Sequence, residues 1–116
     1  AKDSKSIVKD LQKLLPQNTS MKIFVNEPPL DTNISNAYIQ KLKKVTSLSL
    51  QKSVIVRGAN GTSDARHFAR RGNEGIEFGP IGAGIGSDDE YVDISSLEHY
   101  YNIICNFLIS IDDKHL

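Results

Sequence analysis

Apolar residues recur near the start of the chain at Ile7, Val8, Leu11, Leu14 and Leu15. That spacing places all five on one side of a helix over residues 4–15. Asp3 or Ser4 is placed to cap it, and Pro16 to end it. Met21 to Val25 then alternates and is rich in β-formers, which predicts a strand. Glu27-Pro28-Pro29-Leu30 breaks that pattern. Two consecutive prolines lack an N–H and hold an extended path, so a boundary between two structural units is expected here.

Beyond the break, Ile34, Tyr38, Leu42 and Val45 mark a second helix, with Asp31 or Asn33 as its cap. Ser53-Val54-Ile55-Val56 is a short apolar run of the kind found in buried strands. Residues 58–61 turn the chain, and Thr62 or Ser63 caps a short helix reaching Arg71, with Gly72 just past its end. Gly75 to Phe78 predicts another strand. The strand–helix–strand order over residues 53–78 fits a right-handed parallel crossover. Gly79 to Asp93 is a loop rich in glycine and then in acid. Ser95-Ser96-Leu97-Glu98 has the form of a capping box, and Leu97, Tyr100, Tyr101, Ile104, Cys105 and Leu108 follow at helical spacing. The expected class is α/β.

Composition narrows the field. The 116 residues amount to one ordinary domain. Lys+Arg and Asp+Glu both number 14, so no net charge draws the chain to nucleic acid or to an anionic membrane. No apolar run is long enough to span a bilayer. Cys105 has no partner for an internal disulfide, which suits a reducing, cytoplasmic setting. The chain opens with Ala1 and enters a helix at once, as a piece cut from a longer protein would.

Three stretches hold candidate chemistry. Gly61-Thr62-Ser63-Asp64-Ala65-Arg66 follows a predicted strand and opens a predicted helix. Ligands gather at such strand ends, and Arg66 can clamp a carboxylate with two parallel hydrogen bonds. The competing reading is a capped helix start whose arginine pairs with a surface acid. Gly79-Pro80-Ile81-Gly82-Ala83-Gly84-Ile85-Gly86 can bring backbone N–H groups close to a ligand, or can be a tight turn that needs positive φ. It matches no dinucleotide or P-loop fingerprint. Ser87-Asp88-Asp89-Glu90 suits either a hard cation or a solvated turn. His67, His99 and His115 form no pair with metal-ligand spacing.

Taken in order, Gly61 to Arg66, then Glu77-Phe78-Gly79-Pro80, then a loop ending Asp89-Glu90-Tyr91-Val92 resembles the di-zinc exopeptidases and deacylases. That family includes succinyl-diaminopimelate desuccinylase, acetylornithine deacetylase, aminoacylase and glutamate carboxypeptidase. The likeness is specific over residues 53–110 and extends to earlier residues only in layout. It implies a catalytic α/β domain with parallel strands, interrupted by a smaller lid that makes a homodimer. Residues 1–30 would be the end of the lid and its return linker, and residues 31–116 the C-terminal segment of the catalytic domain. Two zinc ions would belong to the whole enzyme, polarising an amide carbonyl and activating water. Their other ligands and the general base would lie outside these residues, leaving the chain alone inactive.

The same resemblance assigns site residues. Gly61 and Thr62 match substrate-contacting positions, and Arg66 matches the arginine that ends the motif, for substrate contact or an internal ion pair, the substrate being a small molecule with a carboxylate. Gly82 stands where desuccinylases carry a substrate-contacting asparagine, and Gly86 where the family carries a zinc-ligand histidine. The implied function is hydrolysis of N-acyl amino acids or small peptides. A non-catalytic carboxylate-binding relative is the alternative, and a small phosphate-binding α/β domain a third reading. The open edge of Met21–Val25 and a half-covered sheet lead to the expectation that the chain self-associates or belongs to a larger polypeptide.

Overall fold

The computed structural model describes residues 3–59 and 61–112. Asn60 of the predicted turn and His115 lie outside them. The element order is α1 (Ser4–Lys13), α2 (Ala37–Leu50), α3 (Arg66–Ala69), β1 (Gly82–Ala83), β2 (Tyr91–Val92) and α4 (Ile94–Asp112). The chain divides into two compact units. One joins Ala1–Thr32 with Thr62–Gly75, and the other joins Asn33–Gly61 with Ile76–Leu116.

In the first unit, Asp3 caps α1, its carboxylate accepting the Ser6 N–H at 3.0 Å and the Ser6 hydroxyl at 2.7 Å. The first of these satisfies one of the unpaired backbone donors of the first turn, and the second holds the cap in place. No residue of α1 is buried, and Ile7, Leu11 and Leu14 stay exposed. The return segment is pinned by Thr32, whose hydroxyl donates to the Gly75 carbonyl and accepts the Gly75 N–H at 3.3 Å. Glu27 is tied to Arg70 at 3.1 Å.

The second unit is built on the packing of α2 against α4. Asn36 begins α2, taking the N–H groups of Tyr38 at 2.9 Å and Ile39 at 3.3 Å. Asp31 and Asn33, the expected caps, precede the helix; Asn33 instead accepts the Ser35 N–H in a local turn. Starting at Ala37 selects Ile39, Leu42 and Thr46 as the buried line, and leaves Ile34 and Tyr38 outside. The Thr46 hydroxyl is satisfied by the Leu42 carbonyl at 2.7 Å, which makes its burial tolerable. Gln51 ends α2 at φ 50°, a left-handed conformation that glycine more often supplies.

Helix α4 also differs from its predicted face. Its buried residues are Ser96 and Ile103, with Tyr100, Phe107 and Ser110 half-buried beside them. Leu97, Tyr101 and Leu108 lie on the opposite side, exposed. Tyr100, Ile104 and Cys105 of the predicted set are half-buried, so the spacing read spans the covered and the exposed apolar sides of the helix. Tyr100 packs on Phe78 with ring centroids 5.5 Å apart, and Lys41 of α2 donates to the Ser110 carbonyl.

The three predicted strands do not form among the described residues. Met21–Val25, Ser53–Val56 and Gly75–Phe78 have no ladder partner, and the only sheet is the antiparallel pair β1–β2. Gly82 pairs with Val92 and Ala83 with Tyr91. A strand exists only through its neighbour, so β-branched residues without one stay irregular. Val54 and Val56 are half-buried while Ile55 is exposed, so the two-residue alternation of a strand survives without its hydrogen bonds. The parallel crossover is therefore absent here, and the described architecture is mostly helical.

Ile103 is the most buried apolar side chain described, at 2% exposure. Ile103→Ala is expected to cost about 2–4 kcal/mol in denaturant unfolding, while Leu108→Ala, 58% exposed, stays within about 0.5 kcal/mol of the parent.

Candidate functional site

The first candidate stretch lies mainly in the first unit. α3 is a single turn, and neither Thr62 nor Ser63 caps it; its cap residue is Ala65. The Ser63 hydroxyl instead accepts the Ala65 N–H at 3.1 Å, a serine turn that competes with a longer helix. The chain leaves α3 through Gly72 at φ 75°, with the Asn73 N–H returning to the Phe68 carbonyl at 3.1 Å. Glycine supplies that left-handed exit without strain.

Arg66 is held by its own segment. Its Nη1 donates to the Ser63 carbonyl at 2.8 Å and to the Asp64 carboxylate at 3.0 Å. The ion-pair reading of this arginine is thus the arrangement present. The bonds also fix the guanidinium plane, which a carboxylate clamp requires. Thr62 is exposed, and Gly61 has open space where a Cβ would stand. Next to them, His67, Phe68, Arg70 and Arg71 line an open depression of about 620 Å³. Those arginines carried no motif signal beyond being adjacent cations.

Gly82 and Gly86 belong to the second unit. The loop carrying them is fastened to the start of α4. Ser96, buried, accepts the Ile81 N–H at 2.9 Å and donates to the Asp93 carbonyl at 2.6 Å. The Asp93 N–H closes back on the Ile81 carbonyl at 2.8 Å. Asp93, rather than the predicted Ser95 box, caps α4. Its carboxylate takes the Ser95 N–H at 2.8 Å, the Ser95 hydroxyl at 2.6 Å and the Ser96 N–H at 3.3 Å. A carboxylate is the stronger acceptor and stands two residues earlier, at the positive end of the helix.

Between these anchors the loop turns on Gly84 and Gly86, at φ 73° and 78°. The Ser87 N–H and hydroxyl both reach the Gly84 carbonyl at 2.8 Å. The Gly86 N–H donates to Glu90 Oε2 at 3.0 Å. Asp88 and Asp89 are exposed, and among the described residues no three His, Cys, Asp or Glu side chains gather to hold a metal. The residues present do not fit a zinc site, because glycine at position 86 offers no donor atom and the Glu90 carboxylate is engaged by the backbone. No described helix is long and apolar enough to cross a membrane.

The family model for peptidase family M20/M25/M40 matches residues 7–110, and the chain belongs to that family. Succinyl-diaminopimelate desuccinylase of Hydrogenovibrio crunogenus is 32% identical over 83 residues, covering 72% of this chain and 22% of the relative. The desuccinylase of Paraburkholderia xenovorans is 32% identical over 71 residues, covering 61% and 18%. That of Helicobacter pylori is 28% identical over 108 residues, covering 93% and 26%. The chain thus spans about a fifth to a quarter of these relatives' length. No solved structure gives a significant match.

Hydrogen bonds from the Ser95 hydroxyl, then from the Ser96 N–H, hold the Asp93 carboxyl below its ordinary value of 3.8. A carboxyl lowered by folding stabilises the fold fully above its unfolded pKa, and that contribution is lost as pH falls through the lower folded value. Thermal unfolding between pH 6 and pH 2 is expected to show this acid loss in the parent. Asp93→Asn, which caps without titrating, removes that part of the pH dependence.

Proposed function

We propose that this chain is the C-terminal segment of a metal-dependent amidohydrolase that cleaves N-acyl amino acids or small peptides. The carrying observation is the family match over residues 7–110, with the named motifs in the family's order inside it. Residues 1–30 are read as the end of the lid and its return linker, and residues 31–116 as the end of the catalytic domain. The runs at 53–56 and 75–78, which have no ladder partner among the described residues, suit strands whose neighbours come from the rest of that domain. The exposed Phe24 and Val25 suit a homodimer formed through the lid. The unpaired Cys105 suits a cytoplasmic protein.

Substrate recognition falls to Gly61, Thr62 and Arg66, with Gly82 offering backbone in place of a side chain. Arg66 meets the substrate carboxylate from a guanidinium already oriented by Ser63 and Asp64, so little side-chain freedom is lost on binding. The general base and the remaining metal ligands are assigned to the rest of the whole protein, so this segment is expected to be inactive alone. Gly86 favours one second reading, a relative that binds the same carboxylate compounds without hydrolysing them.

The test is hydrolysis of N-succinyl and N-acetyl amino acids, with metal content by elemental analysis, on the whole polypeptide purified without chelator. Turnover is expected, with none from the 116-residue chain alone. Arg66→Lys is expected to raise KM on the order of tenfold, the loss of a bidentate charged contact. Carboxylate binding without turnover would establish the second reading, and neither binding nor turnover would remove both.

A further inference from the structure

We propose that Glu27 and Thr32 are positioning residues for Arg66. The return segment clasps the turn that carries this arginine at two points, and so sets where its guanidinium meets the substrate carboxylate. The substrate part rests on the functional reading above; the clasp rests on contacts within the first unit.

The α3 turn is not self-supporting. It is four residues long, and a single helical turn fixes many backbone angles for few hydrogen bonds. Ser63 and Asp64 orient Arg66 within its own segment. They travel with that segment, so they give it no fixed place in the protein. The return segment does. Arg70, the residue that ends α3, meets Glu27 at 3.1 Å from 43 residues away. Thr32 meets Gly75, again 43 residues away, its hydroxyl donating to the carbonyl and accepting the N–H. The equal offset means that the two stretches make their contacts in the same order along the chain. A Cβ added to Gly75 would stand 3.7 Å from Leu30 Cδ1 and 3.8 Å from Ala65 Cβ. Gly75 is thus the place where the return segment and the residue before Arg66 come together. Pro28 and Pro29, with fixed φ, limit the slack between the two anchors.

Each anchor is specific. The Glu27 side chain is 23% exposed, and its Oε2 is buried with no hydrogen-bond partner among the described residues. A carboxylate so placed depends on Arg70, because a buried charge without its partner is costly. The Thr32 hydroxyl fills both of its hydrogen-bonding roles on one residue's backbone, which no aliphatic side chain can do. Glu27 and Thr32 lie outside the stretch from Gly61 to Arg66, and they act on the carboxylate only through the placement of Arg66.

Steady-state kinetics of the whole polypeptide on N-succinyl and N-acetyl amino acids test this, together with amide hydrogen exchange. Thr32→Val is expected to raise KM roughly three- to tenfold, the worth of an ordinary hydrogen bond, with kcat unchanged. Thr32→Ser should restore KM. Glu27→Gln should act in the same direction, and it carries the same measurements if Thr32→Val fails to fold. Added to Arg66→Lys, either substitution should raise KM no further, since nothing remains for it to position. The amides of Arg70, Gly72 and Asn73, which bond back into the α3 turn, should exchange faster in both variants. Additive effects on KM, a fall in kcat at constant KM, or unaltered exchange would overturn the proposal. If the parent binds these compounds without turnover, Kd replaces KM in the same comparison. A parent that neither binds nor hydrolyses them would sink the functional reading, and the exchange rates alone would then decide the clasp.

Discussion

The Ser96 hydroxyl, 5% exposed, joins the glycine loop to the last helix. It accepts from Ile81 and donates to Asp93, so both of its hydrogen-bonding roles are filled inside the protein. The β1–β2 pair is two residues long on each side, far too short to persist alone in water. Its endurance depends on the Ile81–Asp93 bond and on Ser96 behind it. Those contacts belong to a helix whose other end is packed on α2. Loop geometry is thus set by α4, and α4 is set by its buried line from Ser96 to Ile103.

The helices were legible in the sequence because their signals are local. Apolar spacing located α1, α2 and α4, the turn residues located α3, and Asp3, Pro16 and Gly72 marked ends that the chain does use. Faces were less legible. Of the residues grouped by spacing on α4, Tyr100, Ile104 and Cys105 are half-buried, while Leu97, Tyr101 and Leu108 are exposed, because α4 has apolar groups on two sides and α2 is the one helix packed on it among the described residues. The caps moved for a related reason. Asn36 and Asp93 outcompete Asn33 and Ser95 because each accepts two adjacent N–H groups at its helix start. The strands were not recoverable, since a β-rich run says nothing of whether a neighbour exists to pair with it.

Of the candidate site, the sequence order Gly61 to Arg66, Phe78 to Pro80 and Asp89 to Val92 identified the family. It left the use of each residue open. That Arg66 is braced by Ser63 and Asp64 required geometry. Gly82 and Gly86 each read in the sequence as a missing side chain. Only the backbone reveals that a Cβ on one would meet a facing carbonyl, while the other stands at positive φ in open space.

The contact between α2 and α4 has a temporal consequence. Lys41 and the Ser110 carbonyl that it meets are 69 residues apart in the chain. At ribosomal speeds of about 5–20 residues per second, roughly 3–14 s separate the synthesis of the two. During that interval Ile39 and Leu42 have no permanent cover, and closing so long a loop precedes any reward from packing. The birth of this unit is therefore a period of exposure in which chaperones, or an already completed part of the same nascent chain, determine whether α2 waits in solution or finds another apolar surface first.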